Sequence, residues 1–246
     1  MHEATMSGPA APTPGAPEKA AVRSMFDRIA PRYDLLNRVL SGGTDVRWRR
    51  RAVAFLELPA GGRVLDLCTG TADLLLEALR SGRAGSGLGV DLSHQMLVRG
   101  RRKLDTAGAR GVGLAGGDAE RLPVASGRFD GALVAFGIRN VGEPLAALRE
   151  VHRALRPGGR FVVLEFQSPR GLVGSAYQLY FRHVLPRIGG LVSGDGSAYA
   201  YLPASVARFP DPESFAALMR EAGFVDVRHE RLTLGIAWLH RGEKRA

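Results

Sequence analysis

Residues 63–67, 87–91, 112–115, 129–135 and 160–166 are short apolar runs, with amphipathic segments at 72–81, 94–106 and 144–155 between them. No other feature limits the fold as much. Strands that alternate with helices pair in parallel and are covered by helices on both faces. Leu155-Arg156-Pro157-Gly158-Gly159 stops the last of these helices with a proline and two glycines. The connection at 119–127 reads as short or partly helical. Residues 212–222 read as a further helix, ended by Gly223. Two closing strands are expected at 225–230 and 233–239. The Arg231-Leu232 link is short enough for a hairpin, so the last strand is expected to be antiparallel.

The flanks differ in character. Phe26, Ile29, Tyr33, Leu36 and Leu40 recur at helical spacing, and Pro31 should break or restart that helix. Ser41-Gly42-Gly43 marks a loop, and a basic helix containing Trp48 starts at Asp45. Residues 167–210 lose the rhythm. They hold the aromatic stretch Tyr177-Gln178-Leu179-Tyr180-Phe181 and then Pro186, and read as a largely helical insertion able to cover a site. Residues 1–20 are rich in Ala and Pro and read as a disordered tail. The expected organisation is this tail followed by one domain, 21–246, with a helical cap at 21–58 and the insertion at 167–210.

Composition narrows the partners. The chain has 246 residues, 45% of them hydrophobic, enough for one large α/β core or two small ones. No apolar run approaches a membrane span, and the start lacks a charged-then-apolar signal, so a cytoplasmic protein is expected. Cys68 is the single cysteine, which excludes an internal disulfide. The net charge of +10 favours an anionic partner: nucleic acid, a phosphorylated ligand or an acidic membrane face. An arginine-rich composition alone would give the same balance.

In such a sheet the ligand lies beyond the carboxyl ends of the strands. The first strand runs into DLCTGTAD, residues 66–73. A methyl-donor loop of the form Asp-x-Gly-x-Gly-x-Gly would place glycines at 68, 70 and 72, and only Gly70 is glycine. Gly70 lets a ligand approach the backbone, and the next helix start favours an anionic group. Asp66 is placed either to order the loop or to accept from an ammonium group. Ala72, at the helix start, is expected at an ordinary φ. Asp91 ends the second strand, where an acid can accept from both hydroxyls of a ribose, while Ser93 caps the next helix. Asp118 follows the third strand and can accept from an exocyclic amine. Arg139 and Asn140 follow the fourth strand and face the reactive end of the site. The G-x-G-x-x-G spacing of a dinucleotide site is missing, because the glycine places after Gly70 are Ala72 and Leu75. The histidines and Cys68 show no metal-ligand spacing, and Cys68 has no base at a supporting spacing.

The whole set resembles the S-adenosylmethionine-dependent methyltransferases, and within them the quinone-biosynthesis C-methyltransferases. That narrower resemblance rests on Met25-Phe26-Asp27-Arg28-Ile29-Ala30-Pro31-Arg32-Tyr33-Asp34-Leu35-Leu36-Asn37, on Trp48-Arg49-Arg50 and on Phe136-Gly137-Ile138-Arg139-Asn140-Val141. Leu164-Glu165-Phe166, Val184-Leu185-Pro186, Tyr201-Leu202-Pro203, Phe209-Pro210-Asp211 and Leu239-His240-Arg241-Gly242 extend it from about residue 23 to residue 244. The resemblance implies a Rossmann-like, seven-stranded, mostly parallel sheet with an antiparallel last strand and helices on both faces. It implies S-adenosyl-L-methionine as methyl donor, with Thr71, Asp91, Asp118 and Ala119 in contact with it. A family serine stands at Ala135 here, which leaves only backbone contact. No metal is implied.

The implied reaction is methylation of a ring carbon of a prenylated quinol, demethylmenaquinol to menaquinol, with the ubiquinone-pathway benzoquinol as the alternative. Arg139 is the expected catalytic residue, acting by electrostatic stabilisation because arginine is too weak an acid to serve as a base. Asn140 orients the group that Arg139 polarises, and Tyr33 and Asp34 complete the pocket. An apolar substrate tail implies peripheral contact with anionic membrane, through the basic helix at 45–51, with the aromatic stretch at 177–181 lining the tail's entrance. A homodimer is compatible with the resemblance. Three rival functions are a methyltransferase for a soluble metabolite, an RNA methyltransferase and a non-catalytic binder with a decayed site. The chain shows no RNA-binding module or motif, so no nucleic-acid partner is expected.

Overall fold

The computed structural model describes residues 18–169, 171–180 and 197–246. The predicted tail, up to residue 17, and Phe181 and Pro186 of the insertion lie outside the described residues. The N-terminal flank folds as α1 (Lys19–Ile29), a single 3-10 turn (Ala30–Arg32), α2 (Tyr33–Leu40) and α3 (Thr44–Leu56). Pro31 sits in the first turn of the new segment, where its missing N–H costs no helical hydrogen bond, so the helix restarts there. α1 begins three residues before the periodic pattern at Val22.

The alternation forms β1 (Gly62–Leu67), α4 (Asp73–Arg80), β2 (Ala84–Asp91), α5 (His94–Thr106), β3 (Val112–Gly116) and β4 (Phe129–Ala135), followed by α6 (Pro144–Ala154) and β5 (Leu155–Phe166). Within the insertion are α7 (Gly171–Leu179) and α8 (Ser197–Arg208); α9 (Pro212–Glu221), β6 (Phe224–Leu232) and β7 (Ala237–Lys244) complete the fold. The seven strands form one sheet in the order β3-β2-β1-β4-β5-β7-β6. Strands β1 to β5 pair in parallel, and β7 lies antiparallel to both β5 and β6. The closing hairpin is shifted from its expected place. β6 runs on to Leu232, and the turn is the 3-10 segment Thr233–Gly235, with Leu234 at φ 56. Only then does β7 start, so His240, Arg241 and Gly242 lie within a strand.

Side chains alternate across the sheet and feed two cores. Leu65 and Leu67 of β1 join Phe129, Phe161, Leu148 and Phe215 on the face covered by α6 and α9. Val64 points the other way, to Trp48, Leu56, Leu75 and Leu164 beneath α3 and α4. By the same alternation Asp66 is on the α3/α4 face. Strand order reverses about β1 and β4, so the crevice at their carboxyl ends is the ligand position this topology offers.

α3 departs from the expected lipid-facing helix. Trp48 is buried, edge-on to Phe136 and Phe166, with Nε1 donating to Thr233 Oγ1 at 2.9 Å. Arg49 is also buried, Arg50 faces Glu77 at 3.5 Å, and Arg51 holds Glu230 through two hydrogen bonds. The helix packs into the protein, because its tryptophan fills a core and Arg49, Arg50 and Arg51 have protein carboxylates as partners.

Candidate active site

The loop after β1 is held from below by Asp66. Its buried carboxylate accepts from Thr69 Oγ1 at 2.5 Å and from the Leu75 backbone N–H. Burial pushes its pKa up to about 7. Of the two roles open to Asp66, loop ordering is the one its hydrogen bonds perform. Above it, all three glycine places of the motif are left-handed: Cys68 at φ 49, Gly70 at φ 54 and Ala72 at φ 65. Ala72 is therefore not at an ordinary helical φ. It is the left-handed N-cap residue of α4, a position where an L side chain costs about 1–2 kcal/mol. Its methyl group is fully buried against α5, where it faces Gly100. Burial, then the carboxylates of Asp91 and Asp66, push the Cys68 thiol pKa upward, so Cys68 is a packed small residue with no thiolate character.

A cleft of about 760 Å³ opens over this loop. At its floor Asp91 accepts from the Gly70 N–H and the Ser93 N–H, each at 2.8 Å, and burial raises its pKa. Ser93 caps α5 by accepting from Met96 N. The predicted cap at Ser93 is thus present, and Asp91 beside it lines the cleft. Asp118 lies further along the cleft with Ala119 beside it. Its Oδ1 accepts from Glu120 N, and its Oδ2 faces Lys19 Nζ at 2.7 Å.

The expected helical cap supplies what closes this end, at a place its periodicity does not indicate. α1 lies across it, with Lys19, Val22 and Phe26 in the lining. Asp27 anchors that helix by accepting from Ser93 Oγ at 2.6 Å and from Gln95 N at 3.2 Å. Helical periodicity locates α1 along the chain but carries no information on where it docks.

Past Gly70 and Tyr33 the cleft continues into a smaller polar extension of about 360 Å³, lined by Arg49, Asp66, Thr71 and Asp73. Thr71 Oγ1 donates to Asp34 at 2.5 Å and accepts from Lys103 at 2.9 Å, and Lys103 also pairs with Asp73 and Asp34. Thr71 thus ties the loop to α2 and α5. The order of groups is an amine acceptor at Asp118, a diol acceptor at Asp91, open backbone at Gly70, and then a charged extension. That donor set fits an extended nucleoside bearing an ionic tail. Ala135 lines both parts with its methyl group and backbone only.

The opposite wall comes from the segment after β4. Gly137 has no room for a Cβ because Cys68 occupies that space, so the two loops touch. Asn140 lines the cleft, and its Oδ1 accepts from Tyr201 of α8 at 3.0 Å. Arg139 turns behind the wall. Its guanidinium pairs with Glu165 at 2.8 Å and also donates to the Phe136 carbonyl and to Ser205 Oγ. The positive charge opposes the rise that burial causes in the pKa of Tyr33, Tyr177 and Tyr201. Tyr33, its hydroxyl bonded to Asn37, sits where the two parts of the cleft meet. Glu165, Tyr201 and Ser205 were not singled out as site residues. A glutamate inside an apolar strand was the available signal for the first, while the other two reach the site only through the fold of the insertion.

Known proteins resemble this chain in sequence and in fold. The model of the ubiE/COQ5 methyltransferase family matches residues 15–244. A demethylmenaquinone methyltransferase of Thermus thermophilus is 49% identical over 221 residues, 89% of this chain and 100% of that one. A ubiquinone/menaquinone biosynthesis C-methyltransferase UbiE of Syntrophotalea carbinolica is 50% identical over 221 residues, 89% of this chain and 92% of its own. Among solved structures, a SAM-dependent methyltransferase from Thermotoga maritima superposes with a TM-score of 0.64 at 24% identity, covering 91% of this chain and 99% of that one, which is a likeness of fold. With a family model spanning nearly its whole length and relatives at half identity, the chain belongs to the ubiE/COQ5 methyltransferase family.

Proposed function

We propose that this chain is an S-adenosylmethionine-dependent C-methyltransferase that converts demethylmenaquinol to menaquinol. The observation that carries this is the series of acceptors along one cleft, Asp118 then Asp91 then the open backbone of Gly70, ending beside the wall that holds Asn140 and Tyr33. Asp118 and Ala119 would hold the adenine, Asp91 the ribose, and Gly70 and Ala135 the sulfur end by backbone contact. When bound, the donor supplies an electrophilic methyl group on a sulfonium sulfur.

The protein's part is positioning and charge. The cleft must hold a ring carbon in line with that methyl group and keep water out. Ionisation of a ring hydroxyl would place negative charge on the ring oxygens and feed electrons to the attacking carbon. The carbon–carbon bond would form as the sulfur–methyl bond breaks, and the surplus ring proton would then pass to water at the cleft mouth. Tyr33, kept protonated by burial, and the Asn140 amide, fixed by Tyr201, are hydrogen-bond donors suited to those oxygens. Arg139 acts through this wall as a positioning residue, because it lies behind the wall with Glu165 and the Phe136 carbonyl on Nη1 and Ser205 on Nε. Its charge favours electron-rich oxygens on the cleft side.

The finer proposal is peripheral contact with anionic membrane, where a prenylated substrate resides. It moves from α3 to α2, where Leu35 and Val39 are exposed one turn apart and Arg38 projects beside them. No helix among the described residues is long and apolar enough to cross a membrane. The benzoquinol alternative is kept because a relative at 50% identity is named for both quinones. Purified protein with labelled methyl donor and each demethyl-quinol in reduced form tests the proposal. Label is expected in the naphthoquinol; donor binding without transfer to either ring would leave a binding protein. Sedimentation with anionic vesicles is expected at low salt and lost at high salt, and no binding at low salt would end the membrane part.

A further inference from the structure

We propose that Arg49, from the N-terminal cap, recognises the carboxylate of the methyl donor and so sets the chain's preference for ligands with an intact amino-acid tail. This rests on the donor identity proposed above. With the ribose at Asp91 and the adenine towards Asp118, the amino-acid tail must run the other way, past Gly70 into the polar extension. Arg49 is the one cationic side chain lining that extension among the described residues.

The state of Arg49 suits the task. Its side chain is 8% exposed, and its ion pairs run through Nη1, to Asp45 Oδ2 at 2.7 Å and Asp73 Oδ2 at 3.3 Å. Nε and Nη2 have no hydrogen-bond partner among the described residues. The planar guanidinium is thus anchored at one corner, leaving donors for an incoming carboxylate. Arginine is suited to that pairing because its donors match the two oxygens in one plane. Burial removes competing water, which strengthens the contact.

The surrounding charges explain why an arginine is stable there without the ligand. Asp45 and Asp73 neutralise it, while Lys103 and the exposed Arg38 offset those acids in turn. The loop itself supplies little for a carboxylate. Its Cys68 and Ala72 places are packed against neighbouring segments, and the Leu75 N–H of the α4 first turn is taken by Asp66. A cation donated from α3 fills that need. It also links donor binding to the seating of the cap on the sheet domain.

Calorimetric titration of the full chain with three ligands tests this. S-adenosylhomocysteine carries both tail charges, S-adenosyl-3-thiopropylamine lacks only the carboxylate, and methylthioadenosine lacks both. Native protein should prefer the first over the second by about tenfold or more, the scale of one charge-assisted hydrogen-bonded contact. Arg49→Met should remove that preference and leave the affinity for the other two within about twofold. Arg49→Lys should restore part of it. Arg49→Met alone leaves Asp45 without its buried partner, so Asp45→Asn/Arg49→Met is made alongside to keep the fold intact. Equal loss for all three ligands, or an unchanged preference, overturns the proposal. If native protein binds none of the three, the donor assignment itself fails, a result distinct from the loss of preference alone.

Discussion

Arg139 and Glu165 form a buried ion pair at 2.8 Å, their side chains 7% and 1% exposed, directly behind the cleft wall that carries Asn140. Breaking a buried pair from one side strands a charge, which costs about 3–5 kcal/mol. Burial already raises the Glu165 pKa, so in Arg139→Met the acid can take a proton, and the loss should fall near the lower end, about 3 kcal/mol. The double variant Arg139→Met/Glu165→Gln should recover part of this stability in urea unfolding. Methyl transfer should stay depressed in both. Recovery of turnover along with stability would reduce Arg139 to a purely structural residue.

The glycine places of the loop give a sharper contrast. Ala72 stands at φ 65 with its methyl group fully buried. Ala72→Gly relieves about 1–2 kcal/mol of backbone strain and forfeits about 0.8 kcal/mol of methyl burial, so its stability should stay within about 1 kcal/mol of the native chain. Ala72→Val adds a β-branched side chain at positive φ where Gly100 and α5 leave no space. It should lose more than about 2 kcal/mol. Thermal unfolding of the two variants checks the order, and equal behaviour would mean the loop relaxes freely.

These cases also mark how far the sequence reaches. Apolar runs and their punctuation located β1, β2, β4 and the helices between them, because burial on a sheet writes a direct pattern. The acids at the strand ends, Asp91 and Asp118, could be placed because topology fixes where strand ends point. The left-handed φ of Ala72 was not legible, since alanine gives no local sign of it and tertiary packing against Gly100 enforces it. Nor was the burial of Trp48, which its arginine neighbours disguise as a surface residue until Phe136, Phe166 and Thr233 are brought to it from distant segments.

His240 makes the fold sensitive to acid. It is fully buried in β7, neither ring nitrogen has a hydrogen-bond partner among the described residues, and burial with nearby His229 lowers its pKa to about 3. The unfolded chain binds this proton below about pH 6.5 and the folded chain does not, so the contribution of His240 falls as pH drops from about 6.5 towards 3, opposed above about pH 4 by Asp66, whose raised pKa favours the folded state as it takes up its proton. The slope from this one group approaches about 1.4 kcal/mol per pH unit within that window. His240→Leu should flatten the difference. Urea unfolding of both chains from pH 7 to pH 4.5 measures it, and parallel stability curves would refute the assignment.

Lys19 latches the nucleoside end of the cleft. Its ammonium lies 2.7 Å from Asp118 and 2.6 Å from Glu120, holding α1 across the place where the adenine amine is expected. The lysine is nearly half exposed, so each contact is weak in solvent and melting should barely change in Lys19→Met. Ligand exchange is where the loss should show, because α1 must move for the nucleoside to leave, and the Asp27 bonds to Ser93 and Gln95 with the buried Val22 and Met25 would then hold it. Dissociation of S-adenosylhomocysteine, followed by stopped-flow displacement, should quicken about two- to fivefold, the factor corresponding to one or two screened ion pairs. Association should quicken as well, since opening precedes entry, so the equilibrium affinity moves less than either rate. An unchanged dissociation rate would mean that the nucleoside leaves by a path that α1 does not guard.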